Sequence, residues 1–184
     1  FYDLTGCITF LSTLAVSLTL AHRINIRQYI LSGFVALWST RLGYFLFSRI
    51  HNSGGVDSRF TEIKQNNYRF FMTWTLQGFW VFLTLIPLLM VNHTNDDIPL
   101  GIYDYIGIPI FVLGFLIEVV ADHQKSEFRS HLWNKDKFIQ SGLWSFSRHP
   151  NYFGEILLWT GIAICAFGAI KGAGAYAVFI SPVF

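Results

Sequence analysis

IYDYIGIPIFVLGFLIEVVADHQKSEFR, residues 102 to 129, begins as an apolar run and ends as a line of charges. The run over 102–121 is close to the roughly 20 residues that a helix needs to cross a bilayer. Glu118, Asp122, Lys125 and Arg129 then follow at steps of four, three and four, which on a helix puts all four ionisable groups on one stripe. The plainer reading of that stripe is a set of ion pairs at a helix end. A second stretch, GLWSFSRHPNYFGE at 142–155, gives it another use. Pro150 suits a first helical position, so the amides of Asn151, Tyr152 and Phe153 are expected to be open to an anion, beside Arg148 and His149. The two stretches together predict a phosphate-bearing cofactor held where these segments meet water.

Composition extends the membrane pattern to the whole chain. Hydrophobic residues make up 53% and charged residues 13%, too few charges for an ordinary soluble domain. Further apolar runs cover 4–20, 29–47, 70–91, 152–170 and the residues from 173 onward. The expected fold is therefore all-α, a multispan transmembrane helical bundle with five complete spans and a partial sixth. It is read as a single integral membrane domain over 1–184, with a cofactor-binding half at about 101–170. The start at Phe1 is read as the start of a fragment of a longer chain. Cys7 and Cys165 fall inside apolar runs, which argues against a disulfide framework.

Charge placement predicts orientation. Arg49, Arg59, Lys64 and Arg69 follow the second run, and Lys125, Arg129, Lys135, Lys137 and Arg148 lie between the fourth and fifth; the alternate loops offer Arg23 and Arg27. Nine against two puts both basic loops on the cytoplasmic side. No basic patch is interleaved with exposed aromatics outside the apolar runs, so a nucleic-acid partner is not expected.

Local features add candidates. Arg41 lies within the second run with Tyr44 three residues on, and an intramembrane charge of this kind is expected to face the bundle interior and to serve function. The loop after it, with Gly54, Gly55, Asp57 and Arg59, is turn chemistry, either a connector or a segment that orders over a ligand. Trp74, Gln77 and Trp80 suit packing or an interface belt. Asn92, His93 and Thr94 form a glycosylation acceptor pattern.

Several chemistries are disfavoured. His123, His131 and His149, with Glu118, Asp122 and Glu127, supply metal-binding residue types without the i,i+3 or i,i+4 His pairs that a helical di-iron site uses, so no metal is expected. There is no P-loop, no dinucleotide glycine fingerprint and no Gly-x-Ser-x-Gly elbow.

ADHQKSEFR at 121–129, followed by GLWSFSRHPNYFGE at 142–155, resembles the carboxy-terminal domain of the steroid 5-alpha-reductase superfamily, in its uncharacterised membrane-protein branch. The resemblance runs from about Trp38 onward. The Arg-His-Pro-x-Tyr-x-Gly element within it is also similar to isoprenylcysteine and phospholipid methyltransferases. What the superfamily implies is a lipid-metabolism enzyme of the endoplasmic reticulum or another internal membrane. It would use NADPH to reduce a carbon-carbon double bond in a sterol-like or other enone lipid. Asp122, Lys125, Arg129, Arg148, His149, Asn151, Tyr152 and Glu155 are the implied cofactor-binding positions. Lys125, Arg129 and Arg148 supply the charge that nucleotide phosphates need, and Asp122, Asn151 and Glu155 can take hydrogen bonds from ribose or amide. In the steroid reductases a Tyr precedes the Arg that resembles Arg41 by three residues; Trp38 stands there in this chain, which leaves Tyr44, with Arg41, as the catalytic candidate. The expected partners are the lipid bilayer, a hydrophobic substrate and other membrane subunits. Two alternatives remain: a methyltransferase that uses S-adenosylmethionine on a lipid or isoprenyl acceptor, and a structural subunit of a membrane complex that keeps the fold without turnover.

Overall fold

In the computed structural model of the chain, residues 2–52, 60–94, 98–134 and 137–183 are described. Gly54, Gly55, Asp57, Arg59 and Lys135 lie outside them. Every regular element among the described residues is helical, and the protein is an all-α membrane helical bundle. Contacts divide it into two compact units, one up to Pro99 and one over Leu100–Val183.

The first unit holds α1 (Tyr2–Leu20), α2 (Ile26–Asn52), the one-turn α3 (Phe60–Ile63) and α4 (Asn67–His93). The short link after α1 turns the chain back, and α2 packs antiparallel to α1: Phe10 meets Trp38 edge-on at 5.1 Å and Asp3 lies 3.8 Å from Arg49. Helix α4 returns parallel to α1. Gln77 Nε2 donates to the Tyr2 carbonyl at one end and Asn92 Nδ2 donates to Ser17 Oγ at the other, both at 3.0 Å. Asn66 starts α4 by accepting the Arg69 amide on its side-chain oxygen, the bond an N-cap residue makes. Phe10, Leu31, Val35, Trp38, Leu85 and Leu88 form the core between the three long helices.

Two residues of this unit differ from their sequence-based expectations. Arg27, counted above among loop charges, is 2% exposed, and its two terminal nitrogens donate to the carbonyls of Ile98 and Pro99 at 3.0 Å each. Its guanidinium is a clamp on the chain that follows α4. Asn92 is buried inside the last turn of α4 with its amide bonded to Ser17, so the acceptor pattern at 92–94 is not displayed for a glycan.

The second unit is built on α5 (Ile102–Ser130) and α6 (Pro150–Phe167), followed by a 3-10 segment over Ala173–Phe179 and the one-turn α7 (Ile180–Val183). Among the described residues four helices, α1, α2, α4 and α5, are long and apolar enough to cross a membrane. The later segments differ in detail from the sequence expectation. The fifth span corresponds to α6, 18 residues that open on the polar turns of Asn151 and Glu155. The sixth is short because Gly172, at φ 82°, takes a left-handed conformation at its start and 3-10 geometry follows.

Candidate functional site

Glycines decide how the second unit is assembled. Gly107 and Gly114 on α5 face Gly161 and Gly154 on α6, so residue numbers rise on one helix as they fall on the other and the pair is antiparallel. A Cβ on Gly114 would lie 2.5 Å from the Leu158 nitrogen, and one on Gly161 would lie 2.6 Å from the Gly107 carbonyl oxygen. Only hydrogen fits there, and the two backbones touch, the packing that small residues permit between membrane helices.

That contact carries the charged stripe of α5 to the start of α6. Helix α5 is continuous through Ser130, so Glu118, Asp122, Lys125 and Arg129 do share one face. Glu118 and Asp122 are buried, Lys125 is half-buried and Arg129 is exposed. Asn151 Nδ2 donates to Asp122 Oδ1 at 3.3 Å, the direct link between the two stretches. The side-chain oxygen of Asn151, Oδ1, is buried with no hydrogen-bond partner among the described residues. Glu155 follows Asn151 by one turn and is half-buried.

Pro150 is the first residue of α6, as its type predicts, with His149 at the N-cap. One amide expected to be open is not: the Phe153 N–H donates to the His149 carbonyl at 3.1 Å. The Asn151 and Tyr152 amides remain in the first turn, where a helix offers no internal partner. The His149 and Tyr152 rings stack at 5.2 Å, and both are exposed together with Arg148. Arg129 and Arg148 carry no ion pair among the described residues.

The connector between the helices is fastened to α5 by residues to which the sequence reading gave no role. Trp144 is buried and its Nε1 donates to the Ala121 carbonyl at 2.9 Å. The Leu143 amide donates to Gln124 Oε1 at 3.0 Å, and Lys125 Nζ sits 4.9 Å from the centre of the Trp144 ring. Gly142, at φ 60°, brings its backbone against the Gln124 side chain. Arg148 and His149 thus leave from an anchored segment. A buried carboxylate and amide, two exposed guanidinium groups, an ammonium and open helix amides suit a polyanionic ligand with hydroxyl or amide groups attached.

Arg41 and Tyr44 belong to the first unit. Arg41 is half-buried with its guanidinium 5.4 Å from the centre of the Phe45 ring. Tyr44 is 74% exposed, so its phenol stands outside the interior of that unit. A cavity of about 90 Å³ between α1, α2 and α4 is lined instead by Asp3, Cys7, Trp38 and Gln77 among others. It is smaller than the few hundred Å³ typical of ligand pockets.

An all-helical membrane protein with a polar, cation-bearing end on one glycine-packed helix pair is the class these features define. The chain belongs to the DUF1295 family, described as a protein of unknown function, whose model matches residues 1–184. It is 27% identical over 179 residues to the fission-yeast (Schizosaccharomyces pombe) uncharacterized protein C594.04c, covering 82% of this chain and 51% of that protein. It is 27% identical over 164 residues to Delta(14)-sterol reductase ERG24 of Saccharomyces cerevisiae, 79% of this chain and 35% of the relative. A stretch of 66 residues, 36% of the chain, is 35% identical to the Probable O-methyltransferase ustE of Ustilaginoidea virens and covers 23% of it. The chain thus spans about half the length, or less, of these curated relatives. No solved structure matches it.

Proposed function

We propose that this chain acts as a membrane oxidoreductase that uses NADPH to reduce a carbon-carbon double bond in a sterol-like or other enone lipid. The likeness to a sterol reductase over most of the chain supports the reaction class. The observation that carries the nucleotide is the shared end of α5 and α6, where Asp122 bonds Asn151 beside two guanidinium groups that no described carboxylate neutralises. Arg129 and Arg148 take the phosphate charge, with Lys125 behind them on the Trp144 face. Asp122 and Glu155 accept from ribose hydroxyls, and the buried Asn151 oxygen takes an amide donor. When bound, the cofactor supplies the hydride, and the protein's share is placement and polarisation of the substrate. Tyr44, with Arg41 on the same helix, is the proposed proton donor to the reduced lipid. The basic ends of the helices are proposed to face the cytoplasm, in the endoplasmic reticulum or another internal membrane.

The test is a titration of the full chain in lipid nanodiscs, followed by nicotinamide fluorescence and thermal shift. NADPH should raise the melting temperature, and Arg148→Ala should weaken its binding by roughly 10- to 100-fold, the worth of one charge-assisted contact to phosphate. Tyr44→Phe should leave nucleotide affinity in place and lower turnover by about 100-fold, the lower end for loss of a general acid. Equal NADPH affinity in wild type and Arg148→Ala defeats the proposed site.

The match to an O-methyltransferase favours one second reading, a methyl transfer from S-adenosylmethionine at the same helix ends. That cofactor has no phosphate, so stabilisation by it, insensitive to Arg148→Ala, would select this reading. Silence with both ligands would favour a structural subunit.

A further inference from the structure

The connector between α5 and α6 displays large apolar side chains that the nucleotide site does not use. Leu132, Trp133, Phe138 and Phe146 are all exposed, Phe138 and Phe146 at 90%. Both described ends of the connector are fastened to α5. Asn134 Nδ2 donates to the Phe128 carbonyl at 2.8 Å and holds the 3-10 turn Leu132–Asn134 on the end of α5. His131 stacks on Trp133 at 4.5 Å. At the far end the same segment turns Trp144 inward, bonded to Ala121, and leaves Phe146 outward two residues later. Leu132, Trp133 and Phe146 are therefore held in the open by turns that are fastened to α5.

Helix length says what lies beside them. Helix α5 has 29 residues, about 43 Å at 1.5 Å per residue. The hydrocarbon core of a bilayer is about 30 Å thick, so with the apolar run 102–121 crossing it, Ala121 and the Trp144 bonded to it stand at the headgroup level. Aromatic rings prefer that layer, where the ring is shielded from water and its neighbours stay polar. Lys137, exposed next to Phe138, supplies a cation at the depth where lipid phosphates sit.

We propose that the described connector residues, 131–134 and 137–146, form an interfacial docking segment that places Phe138 and Phe146 in the headgroup layer of the bilayer that α5 crosses. The occupant of this surface is the lipid itself. None of the residues assigned to the nucleotide takes part, so the two proposals stand or fall separately.

The test uses the full chain in phosphatidylcholine and phosphatidylserine liposomes, with Phe138→Cys and Phe146→Cys labelled one at a time by an environment-sensitive fluorophore. The parent chain, labelled identically, gives the background from Cys7 and Cys165. Both substituted side chains are exposed, so each variant should melt within a few degrees of the parent. At both sites, quenching by aqueous iodide should fall at least threefold below that of the dye's free-cysteine adduct in buffer. A spin label near the glycerol end of the acyl chain should quench both. Quenching by iodide at the buffer value at either site overturns the proposal. So does shielding from iodide and lipid quencher alike, which would mean that protein covers the segment.

Discussion

Gly154→Val is expected to part α5 from α6 and to be the most damaging single change in the second unit. A Cβ at this position would lie 2.6 Å from the Glu118 nitrogen and 2.7 Å from the Gly114 carbonyl oxygen. Both obstacles are backbone, so no rotamer change relieves them, and valine adds two further carbons. The helices must separate, and backbone contact is lost along the seam. Overpacking alone costs about 1–3 kcal/mol, and with the lost seam contacts the total should reach about 3 kcal/mol or more. An unfolding titration in mild detergent should show a much lower midpoint, or no cooperative transition. Gly33→Ala and Gly78→Ala are the controls, since nothing lies within 4 Å of a Cβ at either position. Their midpoints should stay in place or rise slightly, because alanine is the better helix former. If Gly154→Val unfolds like the parent, the glycine seam is not what joins the pair.

Arg27→Leu is expected to cost the first unit about 3 kcal/mol, since it removes two charge-assisted bonds and leaves two carbonyls without their donor. The geometry makes the effect specific. Two nitrogens of one planar group reach two successive carbonyls, Ile98 and Pro99, at 3.0 Å each. Arg27→Lys keeps the charge and loses the fork, so it should recover less than half of the loss. Thermal unfolding of the three variants reads this directly. A lysine variant as stable as the parent would show that charge, not the fork, is what the site needs.

The sequence carried the helices well because their signal is redundant. Each long apolar run contains more than enough apolar residues to identify it, and α1, α2, α4 and α5 appear where those runs stand. Asp122, Lys125 and Arg129 keep strict helical spacing, and Pro150 marks the start of α6, so the candidate site was legible as two halves. What joins them was less so. The contact rests on Gly107, Gly114, Gly154 and Gly161, each pair seven residues apart, and glycine has no side chain to advertise a partner. Arg27 was misread because a charge at a helix start looks the same whether it faces water or two carbonyls. Tyr44 shows a related difficulty, since sharing a helix face with Arg41 does not say which way that face points. The Phe153 amide was lost to a bond with His149 that only the local turn geometry reveals.

The seven-residue spacing of the glycine pairs also restricts motion. If α5 slid along α6 by one turn, each glycine would leave its notch and meet Leu158 or Phe111 instead, with backbone already in contact on both sides. Asp122 and Asn151 are therefore kept at one relative height, with no ratchet available between them. Any opening that admits or releases a ligand has to come from side chains or from the connector, which makes its fastening at Trp144 the control point for exchange rates.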